Sequence, residues 1–343
     1  MNESALNDTL ATIPWLPREK THPADWYTSV TDGVEMGPDS APFGDWPLAH
    51  RLTRAYHGQT AETDYMMGMI LDALAANAEA SNTWILFYSD HGPASQLPAV
   101  IVGLCLILWL VWTGEMHLEH RIVQKMSMYE GSARVPMIVV APPGTPGARR
   151  GVTDETFVTL LDVMPTLLDL AAAVAPGNLD GYSLLPLVAP GAVAAAAGTN
   201  PPAERPDFVV SEYLGEEANT AQFLVRQGRW KLIVYGQLGI YHSYEPQLFD
   251  VEADPTEIRN VAAANPAVVE SLTAALGTKL DYKAIAEDVD TEGRAAVRRW
   301  MAHFNNSEAV LRPMLGRAYD GFDDNDWAKF TCWLDENCPG GVY

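Results

Sequence analysis

Cysteine is nearly missing from this 343-residue chain. Its three copies, Cys105, Cys332 and Cys338, are too few and too scattered for a disulfide scaffold or a zinc site. Only Cys332 and Cys338 stand close enough to suggest a small loop-closing bridge. Positive charge is scarce as well: 22 Lys and Arg face 44 Asp and Glu, a formal net charge of −22. That balance argues against a nucleic-acid binder held by phosphate contacts, and a polyanionic substrate would need a local positive pocket. No signal peptide is legible either. The apolar stretch 97–113 is 17 residues, at the short limit of a membrane span, with Pro98 near its start.

What is present suits a soluble globular chain. A hydrophobic content of 48% over this length allows a large core and one or two domains. Sequons at Asn2, Asn7 and Asn305 suit a secreted or lysosomal protein, although such triplets also arise by chance.

Residues 1–50 are rich in Pro, Asp, Trp and Gly without clear periodicity, which predicts a long loop passing over a site. From 51 to about 78, Tyr65, Met66, Met69, Ile70, Ala73 and Leu74 recur at helical spacing, predicting an amphipathic helix with a core-facing Met stripe and with Glu62 and Asp64 as solvent or helix-pairing charges. The run Trp84-Ile-Leu-Phe-Tyr-Ser-Asp90-His91-Gly92 reads as a buried strand ending in a polar turn. In open α/β sheets that end of a strand is where ligands bind, so Asp90 and His91 are placed for chemistry.

Residues 135–141 read as a second buried strand, expected to lie parallel to the first in one sheet. Residues 154–173 read as a helix with Pro165 at a kink or a new start, and with Asp162 and Asp169 on its polar face. The Ala run and Pro-Pro of 191–206 read as a linker. Beyond it, residues 208–210, 222–226 and 230–235 predict short alternating strands, with Gly228 at a hairpin turn. Asn265 as cap and Pro266 at the first position open a helix to about Leu280. The acidic, aromatic segment 288–343 receives no role.

The order Ser-Asp90-His91-Gly92, Glu119-His120, Lys125, Tyr129-Glu-Gly-Ser132, Arg134-Val-Pro136 resembles the type I sulfatases of the alkaline-phosphatase-like superfamily. Further pieces agree: His22-Pro-Ala-Asp-Trp-Tyr27, Leu161-Asp-Val-Met-Pro165, Asp180-Gly-Tyr-Ser183, Gly228-Arg-Trp-Lys231 and Pro246-Gln-Leu-Phe-Asp250. The resemblance implies an α/β fold, a sulfatase-type sheet with helices on both faces, followed by a small α+β C-terminal subdomain. It divides the chain into 1–190 (part of the catalytic domain), a linker 191–206, an antiparallel-sheet subdomain 207–285 and a tail 286–343.

The same resemblance implies the chemistry. The family's nucleophile is a formylglycine hydrate made from cysteine, and one calcium ion held by carboxylates polarises nucleophile and sulfate. Asp90 stands as a metal ligand, and His91 occupies the position of a second one, where nitrogen is an unusual partner for calcium. Lys125 matches a sulfate-binding lysine. His22 becomes a sulfate contact, and His120 is expected either to position the leaving group or to orient Lys125.

Two departures stand out. Members run from Asp-His-Gly directly into Glu-Met, whereas 22 uncharged residues, 93–114, intervene here. An artefactual or unspliced insertion, a loop and a membrane span through 97–113 all remain open, and a span would put Asp90 and Lys125 on opposite faces of a bilayer. The nucleophile motif Cys-X-Pro-X-Arg occurs nowhere in the chain. The expectation is therefore the C-terminal portion of a sulfatase, inactive alone, whose complete form acts on sulfated carbohydrate or aryl sulfate in a lysosomal or secreted setting. The rivals are a phosphate or phosphonate ester hydrolase of the same superfamily and a catalytically dead binding protein or mispredicted gene product.

Overall fold

The structure is a computed structural model that describes residues 46–77, 79–89, 127–192, 204–214, 221–236, 245–303, 308–312 and 324–335. The chain forms two compact units, one of residues 1–52, 117–130 and 210–343, the other of 53–116 and 131–209. Helices and antiparallel sheets are mixed, as an α/β class requires.

The first helix, α1, spans Trp46–Ala76. Pro47 sits in its first turn, where a missing N–H costs nothing. Asn77 closes the helix, its backbone and side-chain N–H groups both donating to the Ala73 carbonyl. The Met stripe is not core. Tyr65 is 70% and Met69 57% exposed, while Ile70, Leu71 and Leu74 are half-buried. Periodicity identifies which residues share a face, and what covers that face is a separate matter.

Strands β1 (Ile85–Tyr88) and β2 (Met137–Val140) are neighbours, as expected, but they run antiparallel, with Ile85 opposite Val140 and Tyr88 opposite Met137. A continuous apolar run carries no information about strand direction, which the path of the intervening chain sets. Their burial is also shallower than expected: Ile85 is buried, β2 is half-buried throughout and Tyr88 is exposed.

A one-turn helix, α2 (Glu130–Ala133), precedes β2, and the expected helix over 154–173 starts late. A 3-10 turn at Leu160–Asp162 precedes α3, Val163–Leu170. Pro165 lies in the first turn of α3, where its lack of an N–H is harmless, so it marks a new start and not a kink. Asp162 is no polar-face residue: it is 1% exposed. Its carboxylate accepts from the N–H of Thr159 at 2.9 Å and of Tyr182 at 2.7 Å, and from Arg205 Nη1 at 2.6 Å. Arg205 Nη2 in turn donates to the Tyr182 carbonyl at 2.8 Å. Gly181 approaches this turn so closely that a Cβ would lie 2.0 Å from the Leu161 carbonyl oxygen. A short helix, α4 (Leu185–Val188), follows.

The second sheet holds β3 (Phe208–Tyr213), β4 (Gln222–Gln227), β5 (Trp230–Tyr235) and β6 (Gln247–Asp250) in sequence order. A two-residue turn at Gly228–Arg229 joins β4 to β5, and Gly228 takes φ +52°, available without a Cβ penalty. Register and pleat sort the side chains. Leu232 lies opposite Val225 and Leu248, and Val234 opposite Phe223, all on one face. Helix α5, Pro266–Gly277, packs on β4 and β5 with Leu272 and Leu276 buried. The Phe223 ring meets Tyr282 edge-on at 5.6 Å. Asn265 precedes α5 as expected, yet its amide donates to the Val261 carbonyl and does not cap the helix.

The segment left without a role is helical in part. Helix α6, Tyr282–His303, runs unbroken through residue 285, and α7 spans Asp324–Leu334. Phe330, Trp333 and Leu334 pack with Val297, Met301, Leu311 and Trp327, and Trp333 Nε1 donates to Asp290 at 2.8 Å. Cys332 is disulfide-bonded.

Candidate functional site

His22, Asp90, His91, His120 and Lys125 all lie outside the described residues, as does 97–113. Among the described residues, no group of three or more His, Cys, Asp or Glu could hold a metal ion, and no helix is long and apolar enough to cross a membrane. The described chain resumes at Ser127, two residues beyond Lys125, and the strap from Ser127 to Glu130 is the described stretch that follows Lys125 in sequence.

That strap covers the second face of the four-stranded sheet. Lys231 pairs with Phe249 and Ile233 with Gln247 across β5 and β6, so these four point to the side opposite Leu232 and Leu248. The Tyr129 ring stands edge-on to Phe249 at 5.9 Å. Its hydroxyl donates to Gln247 Oε1 at 3.1 Å, and Tyr235 donates to the same oxygen at 2.5 Å.

Beside this pair lies a buried ion triad. Lys231 Nζ stands 3.0 Å from Glu130 Oε1 and 2.7 Å from Glu257 Oε1, and the Glu130 backbone N–H donates to Glu257 Oε2 at 2.6 Å. Lys231 is 0% and Glu257 1% exposed. Two carboxylates share one ammonium here, which charges of this burial require. Burial pushes the Glu257 carboxyl above its ordinary range, with Lys231 opposing and Glu130 adding to the rise. Burial also drives the Tyr129 hydroxyl well upward, so it remains a donor.

Glu257 adopts φ +55°, which side chains other than glycine rarely take. The turn beneath holds it there: its N–H donates to the Asp254 carbonyl at 3.0 Å, and the Asp254 carboxylate accepts from the Arg259 N–H at 2.7 Å and from Thr256. A strained residue persists only where its surroundings over-determine it. Sequence reasoning missed Glu130 and Glu257 as partners of Lys231. The available signal was Lys231 itself, standing at an inward strand position between Trp230 and Leu232 and thus requiring counter-charge.

Two family models match, "Sulfatase" over residues 15–173 and "N-sulphoglucosamine sulphohydrolase, C-terminal" over 118–285. The chain matches the type I sulfatases. It corresponds to a C-terminal portion of such an enzyme. Arylsulfatase K of Gallus gallus is 34% identical over 302 residues, covering 87% of this chain and 49% of the relative. Arylsulfatase K of Xenopus laevis is 32% identical over 308 residues, covering 88% and 50%. The chain thus spans about half the length of these relatives. Among solved structures, the phosphonate monoester hydrolase of Agrobacterium radiobacter is similar with a TM-score of 0.51 and 27% identity, over 72% of this chain and 44% of that one. Within the sulfatase frame, the triad joins three motif stretches: Tyr129-Glu-Gly-Ser, Gly228-Arg-Trp-Lys and the turn that follows Pro246-Gln-Leu-Phe-Asp.

Proposed function

We propose that this chain is the portion of a sulfuric ester hydrolase that carries the sulfate-binding lysine and one metal-binding carboxylate, in an enzyme acting on sulfated carbohydrate such as a sulfated uronic acid of a glycosaminoglycan. The observation that carries this reading is the sulfatase match, whose range, residues 15–173, includes His22, Asp90, His91, His120 and Lys125. Lys125 acts as a point charge that offsets negative charge developing on sulfate oxygens. His22 contacts the same oxygens, and His120 donates to the leaving group or orients Lys125.

Asp90 offers the hard carboxylate oxygen that calcium prefers, so it would hold the ion, whereas the nitrogen of His91 fits calcium poorly and belongs beside the ligand set. Calcium, when bound, would polarise the sulfate ester. A secreted or lysosomal setting, with glycans at its sequons, accords with the arylsulfatase K likeness.

The chain is expected to show no aryl sulfate hydrolysis above background, because binding groups do not replace a nucleophile and Cys-X-Pro-X-Arg is missing. Turnover that Lys125→Ala abolishes would overturn this. The binding role is tested separately: inorganic sulfate should slow acylation of Lys125, and no slowing would remove Lys125 from the site. A second reading, hydrolysis of phosphonate or phosphate esters, is favoured by the likeness to the Agrobacterium radiobacter enzyme. Protection of Lys125 by methylphosphonate at concentrations where sulfate gives none would select it.

A further inference from the structure

Helix α3 and the turn before it are amphipathic in the reverse sense of a surface helix. The inward side is polar: Asp162 and Thr166 are 1% and 0% exposed, and Pro165 is buried beside them. Thr166 Oγ1 donates to the Asp162 carbonyl at 2.6 Å and accepts from the Leu184 N–H at 2.8 Å. The Asp162 carboxylate is held by Arg205 and two backbone N–H groups. The outward side is apolar. Leu161, Met164 and Leu167, at successive steps of three along one stripe, are 59%, 56% and 47% exposed. A single exposed apolar side chain is ordinary. Here the polar anchor fixes the rotation of the helix, so the stripe cannot turn inward to be covered.

The stripe is part of a wider imbalance. Nine of the eleven large apolar side chains exposed among the described residues, Tyr65, Met69 and Val174 included, belong to the unit of residues 53–116 and 131–209. The other unit covers its sheet on both faces, with α5 on one and the strap on the other. Most of the open unit lies within the sulfatase match over 15–173, and the chain spans about half the length of the arylsulfatase K relatives. A catalytic domain represented by only one of its halves leaves this pattern, apolar residues uncovered on the unit that shares the domain and not on the unit that is complete.

We propose that the Leu161–Met164–Leu167 stripe of α3 is a docking surface for polypeptide, and that its occupant is the N-terminal half of a sulfatase catalytic domain, the half of its relatives that this chain does not span. The occupant meets the stripe with an apolar helix or strand face of its own. Met164, unbranched and adaptable, seats against that face between two leucines. The inference rests on the sulfatase reading of the chain and not on which anion Lys125 meets.

The test uses the full chain, alone and co-expressed with the N-terminal half of arylsulfatase K of Gallus gallus. It follows oxidation of individual methionines by hydrogen peroxide through peptide mass spectrometry, with Met301 of the α6–α7 cluster as internal reference. In the chain alone, Met164 should oxidise rapidly and at a rate independent of protein concentration. With the partner half bound, the Met164 rate should fall about tenfold or more and the Met301 rate stay within about 1.5-fold. Leu161→Asp and Leu167→Asp should each weaken retention of the partner half about tenfold or more. Neither should move the thermal midpoint of the chain alone by more than about 2 °C, since neither side chain is covered there. A midpoint loss of about 5 °C or more would mean that the chain already covers the stripe itself, which overturns the proposal. Slow Met164 oxidation in the chain alone overturns it too, and slowing that grows with concentration names a second copy as the occupant. So does failure to form a complex with the partner half, or a complex in which Met164 stays as reactive as before. Sulfate protection of Lys125 is scored separately, and its failure removes the anion reading while the Met164 result alone decides the docking surface.

Discussion

The two sheets of this chain were written in opposite styles and buried in the opposite sense. β1 and β2 are continuous apolar runs, yet only Ile85 among them is buried. β4, β5 and β6 alternate or carry polar residues, yet most of their positions are buried, Lys231, Gln222 and Gln247 included. The difference lies in cover. One face of β4 and β5 receives α5, and the Tyr129–Glu130 strap lies over the other face of β5 and β6. Because that strap brings its own hydroxyl, carboxylate and N–H, the face beneath it can be polar and still buried. Burial follows from what is packed on a strand, and an apolar run states only what the strand could tolerate.

The comparison can be broken most forcefully at Lys231. Lys231→Met leaves the buried Glu257 carboxylate and the half-buried Glu130 without counter-charge and is expected to destabilise by about 3–5 kcal/mol in urea unfolding. A loss below about 1 kcal/mol would mean that the strap is not held as described. Next comes packing under the strap. Phe249→Ala should cost about 3–5 kcal/mol, whereas Val139→Ala in half-buried β2 should cost about 1 kcal/mol, so equal costs would erase the contrast between the sheets. In the other buried ionic site, Asp162→Ala removes the acceptor for Arg205 and two backbone N–H groups and should cost about 2–4 kcal/mol. Asp162→Asn should cost less.

The pH dependence sharpens the same contrast with a smaller effect. The folded-state pKa of Glu257 is raised by burial, so its contribution is fully present below the ordinary carboxylate value and is lost as pH rises through the raised one. Thermal stability should therefore decline from mildly acidic toward neutral pH, and Glu257→Gln should flatten that decline. Asp154, held at about 2 mainly by its hydrogen bonds to Thr156 and Arg149, has the opposite sign, with any contribution lost only as pH falls below the ordinary range. It is exposed, so its share of the slope should be slight. At the bottom of the scale, Arg229 pairs with Asp250 at the surface, and Arg229→Ala should leave the unfolding midpoint unchanged within error. A clear shift there would show that the hairpin end matters more than its exposure implies.

The sequence by itself determined the family, the α/β class, the positions of α1 and of five of the six strands, and the hairpin at Gly228. These rest on local signals, namely motif order, periodicity, and a glycine where φ must be positive. Pro165 left a kink or a new start open, and the structure decided for the start. Only the tertiary structure decided that β1 and β2 run antiparallel, that Met69 faces outward, that Asp162 is buried against Arg205, and that Glu130, Lys231 and Glu257 meet. Each of these depends on residues 20 to more than 100 positions apart in sequence. Direction, cover and counter-charge are properties of pairs of segments. A single stretch of sequence states what it requires, such as a partner for a buried lysine, but which distant residue supplies it is settled only when the chain has closed on itself.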